Sequence, residues 1–189
     1  MRALENVLAV VPFVLMMAAC AGDPSYQMAA MQASDSGDQK SAISLARKEV
    51  ARFSEPDQCS RANNLNCGTL ALAYGTLANY QIMDGDHTGG EESFIGAKGA
   101  LSLTDPAIRS SATGIVYRDV SEAYWKIGAR ARATAVFNEG RAAGGDMYLY
   151  MSSAGRAAAA AEPPVPPQPV PPPAPQPVPQ PDPQVPDSR

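Results

Sequence analysis

The chain has 189 residues and a formal net charge of -4, which leaves room for one domain with tails or one domain alone. Its basic residues are scattered rather than massed in one stretch. This argues against nucleic acid as a partner, because phosphate neutralisation needs a clustered basic face. Since 14 of the 18 prolines lie at 163–186, a packed core has to come from roughly 38–161.

The first 19 residues have the three parts of a signal peptide. Arg2 gives a basic start, an apolar run extends over 7–19, and small residues precede Cys20. The alternative is a membrane anchor that is retained. It is disfavoured because the apolar run is shorter than the ~20 residues that a spanning helix needs. We therefore predict a cleaved signal peptide at 1–19.

The four residues Met-Ala-Ala-Cys at 17–20 resemble the lipobox of bacterial lipoproteins, with Met in place of the usual Leu. The resemblance implies cleavage before Cys20 and acylation, with palmitate among the chains, of its thiol and its new amino group. Several acyl chains together give stable anchoring. Ala21 follows the cysteine instead of Asp, which in enterobacterial lipoproteins implies sorting to the outer membrane. The expected location is the outer membrane, facing the periplasm.

Residues 20–37 are rich in Met, Ala, Ser and Gln and show little periodicity, so a flexible tether is predicted there. Residues 38–161 show helical spacing of apolar residues and no convincing alternation, which predicts an all-α domain of about six helices. The predicted helices cover 41–53, 69–83, 91–103, 106–128 and 129–143, with a sixth that Asp146 caps.

The two remaining cysteines, Cys59 and Cys67, lie in one short polar loop. In the oxidising periplasm this predicts a structural disulfide. The alternative, a redox-active pair, lacks the close C-x-x-C spacing. The single histidine, His87, lies in a Gly/Asp-rich stretch at 84–90 that is predicted to be a solvated turn. A calcium or zinc site would need further ligands at set positions, so neither metal nor cofactor is predicted.

Residues 162–189 consist mainly of proline with Val, Gln and Ala. Because proline fixes φ and removes the backbone donor, polyproline II is the expected conformation of this tail. Two roles are open. The tail is either a passive spacer or an arm that reaches an aromatic-lined groove or peptidoglycan.

One segment, at 117–140, carries a repeat-like pattern. Large residues on its first helix and small residues between two helices recur at fixed spacing: Tyr117, Val120, Ser121, Tyr124, Gly128, Ala133 and Phe137. The spacing resembles the tetratricopeptide repeat, with Tyr for Trp, Val for Leu and Ser for Gly, and without the trailing proline. A degenerate copy covers 70–103. The alternative is an unrelated helical bundle.

The resemblance implies a short α-solenoid in which the first helix of each pair lines a concave face. The groove-lining positions of the family fall on Arg118, Glu122, Trp125 and Lys126. Trp125 beside two cations would suit the binding of an extended peptide or protein segment. The alternative is that Trp125 is buried against the sixth helix.

These features predict a non-catalytic, lipid-anchored adaptor or scaffold that binds other envelope proteins, in the assembly of a secretion, pilus, flagellar or other envelope machine. The alternative is a stoichiometric structural subunit of such a machine, whose tail threads between subunits or toward peptidoglycan. An enzyme is disfavoured because the sequence contains no paired base for His87, no G-x-S-x-G and no metal motif. Glycosidase chemistry that uses carboxylates alone is left open by the sequence.

Overall fold

The computed structural model of the protein describes residues 26–161, where it contains eight helices and no strand. The predicted all-α class is confirmed. The signal peptide, Cys20 and the proline-rich tail lie outside the described residues. The helices are α1 (Tyr26–Asp35), α2 (Gln39–Phe53), α3 (Cys67–Met83), α4 (His87–Leu103), α5 (Pro106–Lys126), α6 (Arg130–Ala142), α7 (Met147–Tyr150) and α8 (Ser153–Ala161).

The first six helices form three consecutive pairs, and the two helices of each pair are joined by the same tight turn. Gly37, Gly85 and Gly128 lie in these turns with φ of 83°, 88° and 84°, a conformation that glycine adopts without steric cost. In the second turn, Gly85 N–H donates to the carbonyl of Ile82, and Asp86 N–H donates to that of Gln81. The other two turns repeat this pair of bonds, which is the Schellman pattern of helix ends. Each pair is therefore a helical hairpin.

The tether predicted at 20–37 is wrong over 26–35, because this stretch forms α1 and packs against α2. The contact is made by small side chains. Ala30 is fully buried and Ala33 is partly buried against the core. A helix face made of alanines lets two helices approach closely. Because alanine is only weakly hydrophobic, such a face gives a weak periodic signal in the sequence.

Aspartate caps move two helix starts toward the N-terminus from their predicted positions. Asp38 caps α2 by accepting a hydrogen bond of 3.0 Å from the backbone N–H of Ser41, so the helix begins before the predicted residue 41. Asp86 caps α4 in the same way through Gly89 N–H, at 2.9 Å. The turn is therefore only 84–86 long, and His87 is the first residue of α4.

The predicted sixth helix is divided into α7 and α8, because the chain turns at Ser152. The hydroxyl of Ser152 donates to Leu149 O and accepts from Gly155 N–H. The carboxylate of Glu122 on α5 accepts from the backbone N–H of Ser153 at 2.7 Å and so satisfies the start of α8. A long-range side-chain cap of this kind has no local sequence signature.

The core lies between the hairpins, with α3 and α5 at its centre. Helix α3 contacts α2, α4 and α5, and α5 also contacts α6, α7 and α8. At Gly75 the absence of a side chain lets α3 approach Val116 of α5 closely. The largest fully buried side chains are Phe94, Phe137, Ile82, Leu149 and Val116.

Replacement of glycine by alanine is expected to have opposite effects on stability at two positions of the domain. A methyl group at Gly140 of α6 would lie 2.7 Å from Cβ of Tyr117 and 3.1 Å from Cδ1 of Leu149. We expect Gly140→Ala to lower the free energy of unfolding by about 1–3 kcal/mol through overpacking. At Gly99 of α4 nothing lies within 4 Å, so Gly99→Ala should raise it by about 0.5–1 kcal/mol through helix propensity. Urea denaturation of both variants checks the pair, and equal effects would contradict the close contact between α5 and α6.

The loop between α2 and α3 is closed by a disulfide between Cys59 and Cys67, as the sequence predicts. Cys67 is the first residue of α3 and is fully buried, so the bond fixes the start of this central helix to the loop that precedes it. Among residues 26–161, none of the helices combines the length and the apolar character that a membrane crossing requires.

Candidate binding cleft

A pocket of about 280 Å³ opens where the first helices of the three hairpins come together. We call it the central cleft. Helices α1, α3 and α5 all contribute to its walls, which are Gln27, Met31, Thr76, Asn79, Tyr80, Arg118 and Asp119. Its lining is mixed in character, with amide, hydroxyl and charged groups beside the methionine and tyrosine side chains. Such a surface suits a peptide better than a purely apolar ligand.

The charged groups of the central cleft are held in place by each other and by the backbone. Nη2 of Arg118 lies 2.7 Å from Oδ1 of Asp119. The amide of Asn79 donates to the backbone carbonyl of Asp119 at 2.8 Å and so joins α3 to α5. Burial raises the pKa of Asp119, although the neighbouring Arg118 acts in the opposite direction. This part of the cleft is therefore preorganised.

The four residues predicted to line a groove lie on α5 but have different surroundings. Arg118 lines the central cleft. The carboxylate of Glu122 is hydrogen-bonded to the start of α8, because it accepts bonds from both the backbone N–H and the hydroxyl of Ser153. Trp125 is partly buried against the core, with the guanidinium of Arg130 3.9 Å from its ring centre. Lys126 is exposed. Of the four, only Arg118 is a wall residue of the cleft.

Sequence reasoning missed the walls of the cleft that come from α1 and α3. Gln27 and Met31 lie in the stretch for which the sequence predicts a tether. On α3, Thr76, Asn79 and Tyr80 are spaced at i, i+3 and i+4 on an otherwise apolar helix, which places them on one face. That polar stripe is a sequence signal from which these three wall residues could have been predicted. It does not indicate which other helices pack beside it.

On α4, Glu91 forms a polar cluster that joins three helices. Its carboxylate accepts a hydrogen bond of 2.6 Å from the hydroxyl of Tyr124 on α5 and two bonds from the guanidinium of Arg132 on α6. Burial alone would raise the pKa of Glu91, but the bonds from Tyr124 and Arg132 outweigh it, and the pKa is lowered. The cluster holds the third hairpin to α4 in a charge-assisted geometry.

A second cluster of the same design lies seven residues away on each helix, toward the C-terminus on α4 and α6 and toward the N-terminus on α5, with the charges exchanged between α4 and α6. Here Lys98 of α4 lies 3.0 Å from Glu139 of α6, and the hydroxyl of Tyr117 donates to the same carboxylate at 3.2 Å. A spacing of seven residues is two helical turns, so both clusters lie on the same faces of their helices. Together they fix the register of α4 against the third hairpin.

The two tyrosines of these clusters predict a loss of stability at alkaline pH. Burial, and then the neighbouring carboxylate, raises the pKa of Tyr124 to about 12 and that of Tyr117 further still. A group whose pKa is raised on folding stabilises fully below its unfolded value, which is about 10, and loses this contribution above it. We expect urea-unfolding stability to fall as the pH rises from about 10 towards about 12. Tyr117→Phe with Tyr124→Phe should flatten this fall, and an unchanged slope would contradict the assignment.

Within residues 26–161, no group of three or more His, Cys, Asp or Glu side chains is arranged to hold a metal ion. His87 begins α4 beside the cap Asp86. Comparison with known proteins found no matching family model, no matching curated protein and no matching solved structure.

Proposed function

We propose that the protein is a non-catalytic, lipid-anchored adaptor that binds other envelope proteins at the outer membrane through the central cleft. The observation that carries the proposal is the make-up of this cleft. All three hairpins contribute their first helix to it, so a ligand in the cleft would contact the whole row of hairpins. A surface assembled from successive repeats is the usual binding face of helical-repeat proteins.

The proposal includes a stacking of the hairpins like that of tetratricopeptide repeats. In support of it, the residues that carry the resemblance are buried in the third hairpin, except Gly128, which lies in the exposed turn between its two helices. Ser121 and Ala133 are fully buried, and the hydroxyl of Ser121 donates to the carbonyl of Ala133 at 3.0 Å. Phe137 is also fully buried. The two small residues Ser121 and Ala133 are thus in contact between α5 and α6, which supports the resemblance.

The lipid anchor rests on the lipobox resemblance at 17–20 and is proposed on that ground. Metabolic labelling with palmitate tests it. The wild-type protein should become labelled and should fractionate with the outer membrane. Cys20→Ser should lose both properties, and label that remains in this variant would contradict the anchor.

The adaptor function is tested by recovering partners from detergent-solubilised envelopes with the full-length protein. We choose Met31→Trp to fill the cleft, because Met31 lines it and is 47% exposed, so that the domain should tolerate the larger ring. Met151→Trp is the matched control, since Met151 is 57% exposed and is not a wall residue of the cleft. We expect Met31→Trp to lower partner recovery at least tenfold and the control to leave it unchanged.

Two results would contradict this role of the cleft. One is equal recovery by both tryptophan variants. The other is loss of recovery when the chain is truncated after Ala161, with no effect of Met31→Trp. That outcome would favour a structural subunit held by its proline-rich tail.

A further inference from the structure

Glu49 on α2 is buried without a complete set of partners. It is 6% exposed, and its Oε2 is the one buried side-chain oxygen or nitrogen in the described part of the chain that makes no hydrogen bond. A carboxylate oxygen removed from water without a donor is costly, and native structures rarely retain one. Such a group calls for an explanation, and a ligand that supplies the missing donor is one.

The position of Glu49 connects it to the central cleft. It lines a recess whose other walls are Gln27, Ala46, Ala73 and Thr76. Gln27 and Thr76 are also walls of the cleft, so the two spaces adjoin. The recess is too narrow for a water molecule as it stands. Gln27 is exposed and is a wall of both spaces, so its side chain is the element whose rotation into solvent can join them.

The charged residues that line the recess and the central cleft indicate which kind of ligand would bind Glu49. Arg118 is neutralised by Asp119 at 2.7 Å, so the carboxylate of Glu49 is the uncompensated charge. A cation is therefore the complementary ligand. An ammonium on a thin four-carbon stem needs the least widening of the recess once Gln27 has moved aside, whereas a planar guanidinium is wider and needs several acceptors in one plane.

We propose that the central cleft binds an extended segment of a partner protein that inserts one lysine side chain, whose ammonium donates to Oε2 of Glu49. This inference rests on the proposed function and names the partner's chemistry. Gln27 acts as a gate that the lysine stem displaces. In the unliganded protein the unpaired carboxylate is a stability cost, and the lysine removes it on binding.

The test selects peptides from a library of randomised nonapeptides displayed on phage, with full-length protein immobilised in detergent micelles. Wild-type protein should enrich peptides with lysine at one fixed position. In a synthetic copy of the best peptide, replacing that lysine by norleucine keeps the stem and removes the ammonium, and should weaken binding at least tenfold. Glu49→Gln, which keeps the shape of the side chain, should bind both peptides equally.

A second variant keeps the test decisive if Glu49→Gln unfolds. Gln27→Lys supplies an ammonium from α1 itself, so it should raise the melting temperature and abolish the preference for lysine peptides. Failure to enrich lysine in the wild-type selection would overturn the inference, as would a lysine preference that survives in both variants. Competition by a peptide copy of 162–189, in which Arg189 is the only basic residue, would make the chain's own tail the occupant and overturn it as well.

Recovery of partners from solubilised envelopes distinguishes failure of the lysine contact from failure of the proposed adaptor function. If Glu49→Gln recovers the same partners as wild type while Met31→Trp does not, the adaptor function stands and the lysine contact is wrong. If neither wild type nor variants recover a partner, the proposed function itself fails.

Discussion

Phe137→Ala is expected to lower the free energy of unfolding by about 3–5 kcal/mol, the range for truncating a buried aromatic ring. Phe137 is fully buried on α6 and packs edge to face on Tyr150 of α7, with 5.4 Å between ring centres. Its ring also lies against the start of α8, since Cε2 would be 3.0 Å from a methyl group at Gly155. The side chain thus joins three helices, and the cavity left by alanine could not close without moving all of them.

Urea denaturation followed by circular dichroism measures this effect. Ile95→Ala is the control, because Ile95 lies on α4 and is 62% exposed, so its truncation should change stability by less than about 0.5 kcal/mol. The melting of the C-terminal helices should follow the global transition, because α7 and α8 depend on this ring. A loss of less than about 1 kcal/mol in Phe137→Ala would contradict the packing of α6 against α7 and α8.

Removal of the disulfide is the second change with a large expected effect. The bond closes a short loop with a sequence separation of 8 residues. Loop-closure entropy for a loop of this length corresponds to about 2–3 kcal/mol of stability. Cys59→Ser combined with Cys67→Ala should lower the free energy of unfolding by that amount, with alanine chosen at Cys67 because this position is fully buried.

A reductant supplies the matched control for the disulfide. Dithiothreitol should destabilise the wild-type protein to about the level of the double variant and should leave the double variant itself unchanged. A double variant as stable as the oxidised wild type would contradict the structural role of the bond. A reductant effect that persists in the double variant would assign the sensitivity to another thiol.

The sequence alone predicted the helical class and most helix boundaries, because these depend on local chemistry. Asp105 and Pro106 start α5, and Gly85 and Gly128 end their helices, wherever the rest of the chain lies. Burial of Ala133 and Phe137 followed from their places in the repeat-like pattern. The Cys59–Cys67 pairing also needed no tertiary information, since both cysteines lie in one short loop.

Tertiary structure decided the features for which local sequence carries no signal. Helix α1 is held by packing of small alanines against α2, whereas the composition and weak periodicity of the same residues predicted a tether. Glu122 has the spacing of a groove residue, but α8 folds back onto it and uses its carboxylate as a cap. The division of α7 from α8 has the same origin.

The candidate site was the least predictable part of the chain. Gln27, Thr76 and Arg118 are far apart in sequence and share a cleft only because three hairpins bring their first helices together. The isolation of Glu49 is likewise a property of what surrounds it, since no sequence pattern shows that a carboxylate will be buried without a donor. Local chemistry determined the elements, and the packing of distant segments determined which side chains meet.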